Sequence, residues 1–573
     1  MRRSYQSDLS VGIERRYRQL EYDIMEDIVR RIKKAGKITS MADWQLNRML
    51  ILGKSPADLR KIVAKAVDFD EADVNALYEQ VIQNEYVVYK PQYEKITHKY
   101  IPYKENLQLQ QLVNVQIRNS SEDLSNVTKS MGFMLDYGGG KKVFTPLSQV
   151  YNGYIDQAVT DVISGAFDYN TMLRKVCRQL SDSGLRTGHL FRSNPGDDRG
   201  IDFPSGWHNR IDVAARRAIL TGVSQLSGQI TAMNAERLGI DRYEVSWHAG
   251  ARPDHAAWQG KVYTMEQLKR ICGLGTGPGL LGWNCRHEYY LFFPGSERQY
   301  TDKWLAEQNA KEARTQSFRG REYNLYQATQ KQRSMETNMR AQREKVRLMQ
   351  EGGADRDDII VEQCKYQAQL DEYKEFSKRF RLPEQRERVY ADLNGRVAPS
   401  AKRYQKWKEG REERHRKWLH DIGAEDTTLN TVEKYEMAKH NRSREYVLLK
   451  GYARAVKKGD IHALTSFTTY KNTAREIDEN LVGMTTVDDV AIESYATHFI
   501  DRVIGQTSTS HQGMRLGVPV EEAERSLRYP HHITERVMSD GDIRRRYLGD
   551  ECSVVLSVVN GRLIQANPIG GEK

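Results

Sequence analysis

The sequence predicts a mainly α-helical protein carrying small α+β modules, and three observations lead there. Apolar residues recur at steps of three and four through most of the first half of the chain. Near residues 243–293 that period gives way to alternation, the mark of half-buried strands. Finally, 39% of the residues are hydrophobic and 29% charged, a balance too polar for one large core and suited to long solvated helices. At 573 residues the chain is long enough for roughly three or four domains. The expected division is a helical region over 1–200, a module with a small β-sheet over 201–300, a charged helical arm over 301–440, and an α+β domain over 441–573.

The elements follow in chain order. In GIERRYRQLEYDIMEDIVRRIKKAG the residues Ile13, Tyr17, Leu20, Ile24, Ile28 and Ile32 form one apolar stripe, closed by Gly36 after a basic last turn. SPADLRKIVAKAV offers Ser55 as a cap, Pro56 for the first helical position and Asp58 for the N-terminal dipole. DFDEADVNALYEQVI repeats that logic, and 105–185 reads as further helices interrupted at YGGGKK and SDSGLRTG. A loop, FRSNPGDDRGIDFPSGW, precedes the helix NRIDVAARRAILTGVSQLSGQITAMNAERLG, whose small residues permit close packing. YEVSWHAG, KVYT and CRHEYYLFF read as three strands. KWLAEQNAKEARTQ, NMRAQREKVRLMQ and KWKEGREERHRKW read as long charged helices. Near the C-terminus VEEAERSL is helical, and ECSVVLSVVNGRLIQANP gives two strands around an Asn560–Gly561 turn.

Composition excludes several classes. Five scattered cysteines, Cys177, Cys272, Cys285, Cys364 and Cys552, argue against a disulfide framework and for a reducing cytoplasm. No apolar run approaches the roughly 20 residues that span a bilayer, and MRRSYQSDLS lacks the apolar core of a secretory signal. The expectation is a soluble intracellular product with no membrane partner. A net charge of +11 favours an acidic partner such as DNA.

The densest chemistry lies in ARPDHAAWQGKVYT and, after a glycine-rich loop, GLLGWNCRHEYYLFF. On a strand, Cys285, His287, Tyr289, Leu291 and Phe293 would share a face. Cys285 and His287, with His255 and Cys272 as further candidates, could then offer zinc its preferred thiolate and imidazole ligands. No CxxC or HxxxH pair accompanies them, and a packed cysteine beside hydrogen-bonded histidines is the commoner outcome. A catalytic Cys–His pair would need an oxyanion-forming loop and an orienting third group, and neither is evident. The expectation is therefore no cofactor, with zinc as the alternative.

These paired motifs resemble the phage minor capsid protein 2 family, related to the Mu F-like head morphogenesis proteins. The matching positions are Asp254, His255, Trp258 and Gly260, then Gly282, Asn284, Cys285, Arg286 and His287. The resemblance extends over roughly residues 1–420 and includes EFSKRFRLPEQRERVYADLNGRV. It implies a minor structural protein of the virion head, present in few copies and associated with the portal protein. Procapsid assembly or DNA packaging would be its work, with major capsid or scaffold proteins as further partners. The C-terminal order of ATHFIDRVIGQ, VEEAERSL and the final strands resembles the small nuclease modules grouped with barnase, EndoU and RelE. That likeness implies His498 and Arg502, one helical turn apart, as an RNase base and cation, with Arg544–Arg546 as further cations. The alternative function is thus a head protein carrying a ribonuclease-like effector.

Overall fold

The computed structural model describes residues 11–35, 62–63, 70–137, 142–163, 168–187, 209–282, 285–390, 395–462, 464–506, 515–538 and 542–569. Gly36 and almost all of SPADLRKIVAKAV lie outside them. The described residues fall into two compact units: the first runs to Arg403, and the second takes Tyr404 onward together with Arg319–Arg321.

In the first unit, helix α1 (Val11–Ala35) forms as its stripe requires: Ile13, Tyr17, Leu20, Ile24, Ile28 and Ile32 are each at most 2% exposed. It joins α2 (Asp70–Glu85), α3 (Leu107–Lys129) and the long α5 (Ile211–Leu238) around one core. Helix α5 is apolar or small on nearly every face, so it sits inside the bundle rather than on it. At Gly222 an added Cβ would lie 2.3 Å from Tyr78 Oη and 2.5 Å from Ser120 Oγ, so only glycine admits the neighbouring helices this closely.

The span 105–185 is not wholly helical. Strands β1 (Met131–Asp136) and β2 (Lys142–Pro146) form an antiparallel pair, with Phe133 opposite Thr145 and Leu135 opposite Val143. The alternation of Met131, Phe133 and Leu135, all buried, carries this signal. Flanking helical sequence hides it. Helix α4 (Tyr169–Ser183) resumes the bundle, capped by Asp168, which accepts from the backbone N–H of Thr171.

Residues 325–379 differ from the expected solvated arm, whereas Asp302–Ala313 buries only Leu305 and Ala401–Glu409 buries no residue. Helices α6 (Leu325–Gly352) and α7 (Arg356–Arg379) pack against each other through Met335, Met339, Val346, Tyr366, Leu370, Tyr373 and Phe376. Leu348 and Met349 of α6 belong to the main core, and α6 packs on α1 and α4. Counting charges misleads here because several are buried and paired. Arg340 places Nη1 2.6 Å from Asp212, Nη2 3.3 Å from Glu21 and Nε 3.3 Å from Glu344. Arg210 reaches Glu21 at 2.8 Å and Glu344 at 3.1 Å, while Arg18 reaches Asp212 at 3.0 Å. Helices α1, α5 and α6 are thus joined by six interlocked charges. Burial nevertheless raises Glu344 to about 7, outweighing its two arginines.

The second unit pairs helices with a five-stranded sheet. Helices α8 (Arg444–Lys458), α9 (Phe467–Asn480), α10 (Thr497–Ile504) and α11 (Val520–Arg528) share one core with that sheet. Its long strands are His532–Val537, Ile543–Leu548, Cys552–Ser557 and Arg562–Pro568, each antiparallel to the next. The short strand Ser494–Tyr495 adds in parallel at the Arg562–Pro568 edge. The predicted final hairpin is present, and Gly561 turns it with φ of +58°. Among the described residues no helix is long and apolar enough to cross a membrane.

Candidate functional site

The module after α5 is a small three-stranded sheet. Strand β3 (Tyr243–Val245) lies centrally between β4 (Val262–Tyr263) and β5 (Tyr289–Leu291), both antiparallel to it. The sheet is fastened to α5 where Tyr289 Oη donates to Gly228 O at 2.8 Å. A side chain at Gly228 would collide with Leu281, which explains one small residue of that helix.

The strand expected over CRHEYYLFF is shorter than its alternation suggested. Only Tyr289–Leu291 pair, and 285–288 form an irregular approach to them. Cys285 N–H donates to Gly282 O at 3.1 Å, and His287 N–H reaches Cys285 Sγ at 3.4 Å. Cys285 and His287 therefore converge through a tight turn and not through the pleat. Trp283 and Asn284 lie outside the described residues.

Three side chains named from the sequence meet. His255 Nδ1 and His287 Nδ1 stand 3.3 Å apart, and Cys285 Sγ is 3.6 Å from His287 Nδ1 and 3.9 Å from His255 Nδ1. His255 is 3% exposed and His287 2%. Trp258 covers both rings, its centroid 4.5 Å from His255 and 4.7 Å from His287. Burial lowers the His255 pKa, Arg252 adding to the effect and the Pro278 carbonyl opposing it. Burial likewise pushes the Cys285 thiol up, against backbone N–H groups that favour the thiolate. A thiol held in its protonated form is a poor nucleophile.

The remaining motif positions surround this triangle. Asp254 is exposed, 3.6 Å from Arg252 Nε and 3.8 Å from His255 Nε2. Arg286 faces solvent. Gly260 holds φ of +72°, a left-handed conformation that a side chain resists. Gly282 is needed for a different reason than backbone handedness: an added Cβ would sit 2.2 Å from Gly277 O and 2.5 Å from Thr276 O. Cys272 is buried but stays outside the triangle, its thiol pushed up to about 12 by burial and the neighbouring Cys285.

Sequence reasoning missed the residues that orient the imidazoles. Gln259 Oε1 accepts from the His248 backbone N–H at 3.0 Å and faces His287 Nε2 at 2.9 Å. Because the backbone group can only donate, it fixes which end of the amide is oxygen, and His287 must carry its proton on Nε2 to bond it. Pro278 O lies 2.9 Å from His255 Nε2, and Arg252 Nη2 reaches both that carbonyl and the same ring nitrogen. His248 stacks on His287 with centroids 4.2 Å apart. Gln259 sits within the DHAAWQG stretch, but its partner His287 lies beyond the glycine-rich loop, so no local spacing pointed to the contact.

A model of the phage minor capsid protein 2 family matches residues 3–377. The chain belongs to that family. It is accordingly a structural protein of the phage head. The match takes in the whole module and stops short of the 420 that the motifs suggested, leaving Tyr404 onward outside it. Neither the curated proteins nor the solved structures gave a match.

In that second unit of the minor capsid protein, His498 and Arg502 do meet on α10. Arg502 Nε donates to His498 Nε2 at 3.2 Å, and His498 Nδ1 lies 3.5 Å from Asp501. Asp501 is fully buried and accepts from Tyr470 and Arg454, both at 3.0 Å. Arg544, Arg545 and Arg546 are engaged on their own sheet, with Asp542 at 2.7 Å, Asp488 and Glu535 at 2.8 Å, and Ser553 at 3.0 Å.

Proposed function

We propose that the protein acts at the portal vertex, joining the portal protein to major capsid or scaffold subunits during procapsid assembly or DNA packaging. The observation that carries this reading is the use made of the motif. Its histidines and tryptophan are turned inward to close a small sheet against α5, so the module presents a fixed shape rather than an open reactive cleft. The first unit is likewise tied together by buried charges across three helices, which suits a rigid adaptor. Phage DNA is a further candidate partner through the protein's positive charge. Co-expression tests the portal assignment. Tagged portal protein should retain the full chain through a salt wash, and a chain that washes through while the portal oligomer is intact would count against it.

A second reading concerns the effector alternative, which the His498 geometry favours. Asp501 faces Nδ1 and Arg502 Nε donates to Nε2, which sets an imidazole beside a cation; the imidazole serves as a base for phosphodiester cleavage once the guanidinium turns to the phosphate. Full-length protein should then cleave RNA, and His498→Ala should reduce the rate at least about a hundredfold, the usual scale for losing a general base. Equal cleavage by both proteins, or none by either, rejects the ribonuclease reading and leaves the head role standing.

A further inference from the structure

We infer that His255, Cys285 and His287 bind one zinc ion through Nδ1, Sγ and Nδ1. This does not depend on the portal assignment.

The first argument is metric. With zinc–nitrogen bonds of about 2.0–2.1 Å and a zinc–sulfur bond of about 2.3 Å, a tetrahedral site has edges of roughly 3.3 Å between nitrogens and roughly 3.6 Å from nitrogen to sulfur. The three edges here are 3.3, 3.6 and 3.9 Å. The triangle thus has the dimensions of a tetrahedral zinc face.

The second argument is orientation. Gln259 Oε1 holds the proton of His287 on Nε2, whereas His255 Nε2 faces both Pro278 O and the Arg252 guanidinium. The His287 Nδ1 lone pair then points at His255 Nδ1 and at the sulfur. The 3.3 Å gap between the two Nδ1 atoms is bridged either by a shared N–H proton or by a cation, and the sulfur facing both favours the cation. A carbonyl or amide oxygen on the far nitrogen of each imidazole is how metal-binding histidines are usually held. The Arg252 guanidinium contacts both the Pro278 carbonyl and His255 Nε2, which closes that side of the site.

The third argument is chemical. Two imidazoles and one thiol make a borderline-soft donor set, which selects zinc over magnesium or calcium. Binding is an association: as the sulfur–zinc bond forms, the thiol proton leaves to solvent, and no electrons are transferred. Three protein ligands leave the fourth position to water. Trp258 roofs the site and limits exchange.

The test uses the full-length protein. Purified without chelator, or after addition of zinc and desalting, it should hold about one zinc per chain. After stripping, cobalt(II) should bind and give a thiolate-to-cobalt absorption band. Cys285→Ser should lose that band, while Cys272→Ser, a nearby thiol outside the triangle, should keep it. Chelation should lower the melting temperature of the wild type and leave that of Cys285→Ser unchanged. The wild-type titration reads the site even if a variant fails to fold. No uptake of either ion with unchanged melting, or a band that survives Cys285→Ser, overturns the assignment.

Discussion

Arg340→Ala is expected to destabilise the first unit by about 3–5 kcal/mol, the range for removing one partner from a buried ion pair. The guanidinium is 7% exposed and contacts Asp212, Glu21 and Glu344. Its removal leaves three carboxylates in the interior with only Arg210 and Arg18 to answer them. Desolvation dominates the outcome, because an unpaired buried charge costs far more than an exposed pair contributes. Denaturant unfolding followed by helical signal measures it. A loss below about 1 kcal/mol, the scale of exposed pairs, would mean that water reaches the network and that it does not join the helices.

Trp258→Ala should cost a similar amount, about 3–5 kcal/mol, the usual result of emptying a buried aromatic site. The indole is 6% exposed and roofs His255 and His287. Its own carbonyl accepts from Tyr263 Oη at 2.9 Å, so the backbone there is held by β4 independently of the ring. The variant should therefore open a cavity over the histidines without unthreading the sheet. Loss of the melting transition's cooperativity, or a drop of a few kcal/mol, agrees with this packing. A melting curve superimposable on the wild type would show the ring to be dispensable.

Much of this architecture was legible in the residues. The stripe of α1, the small-residue surface of α5, the switch of period at Tyr243 and the Asn560–Gly561 hairpin all appear where local pattern and burial agree. The membership of the triangle is legible too, since His255, Cys285 and His287 stand in the two polar motifs that flank the glycine-rich loop. What escaped was long-range. Helix α6 looks solvated because Arg340 and Glu344 read as surface charges, and their partners lie more than a hundred positions away in Glu21, Arg210 and Asp212. The pairing of Cys285 with His287 was predicted through strand alternation but arises from a turn. Gln259 and Pro278 orient the rings through contacts that no spacing rule ranks.

Belonging to the phage minor capsid protein 2 family makes incorporation into heads the central claim. The most direct measurement is quantitative mass spectrometry of procapsids and mature heads purified from infected host cells. The chain should be present in both, at a fixed ratio to the portal protein and far below the major capsid protein. Its absence from both particles, with all of it recovered free in the lysate, would contradict the account.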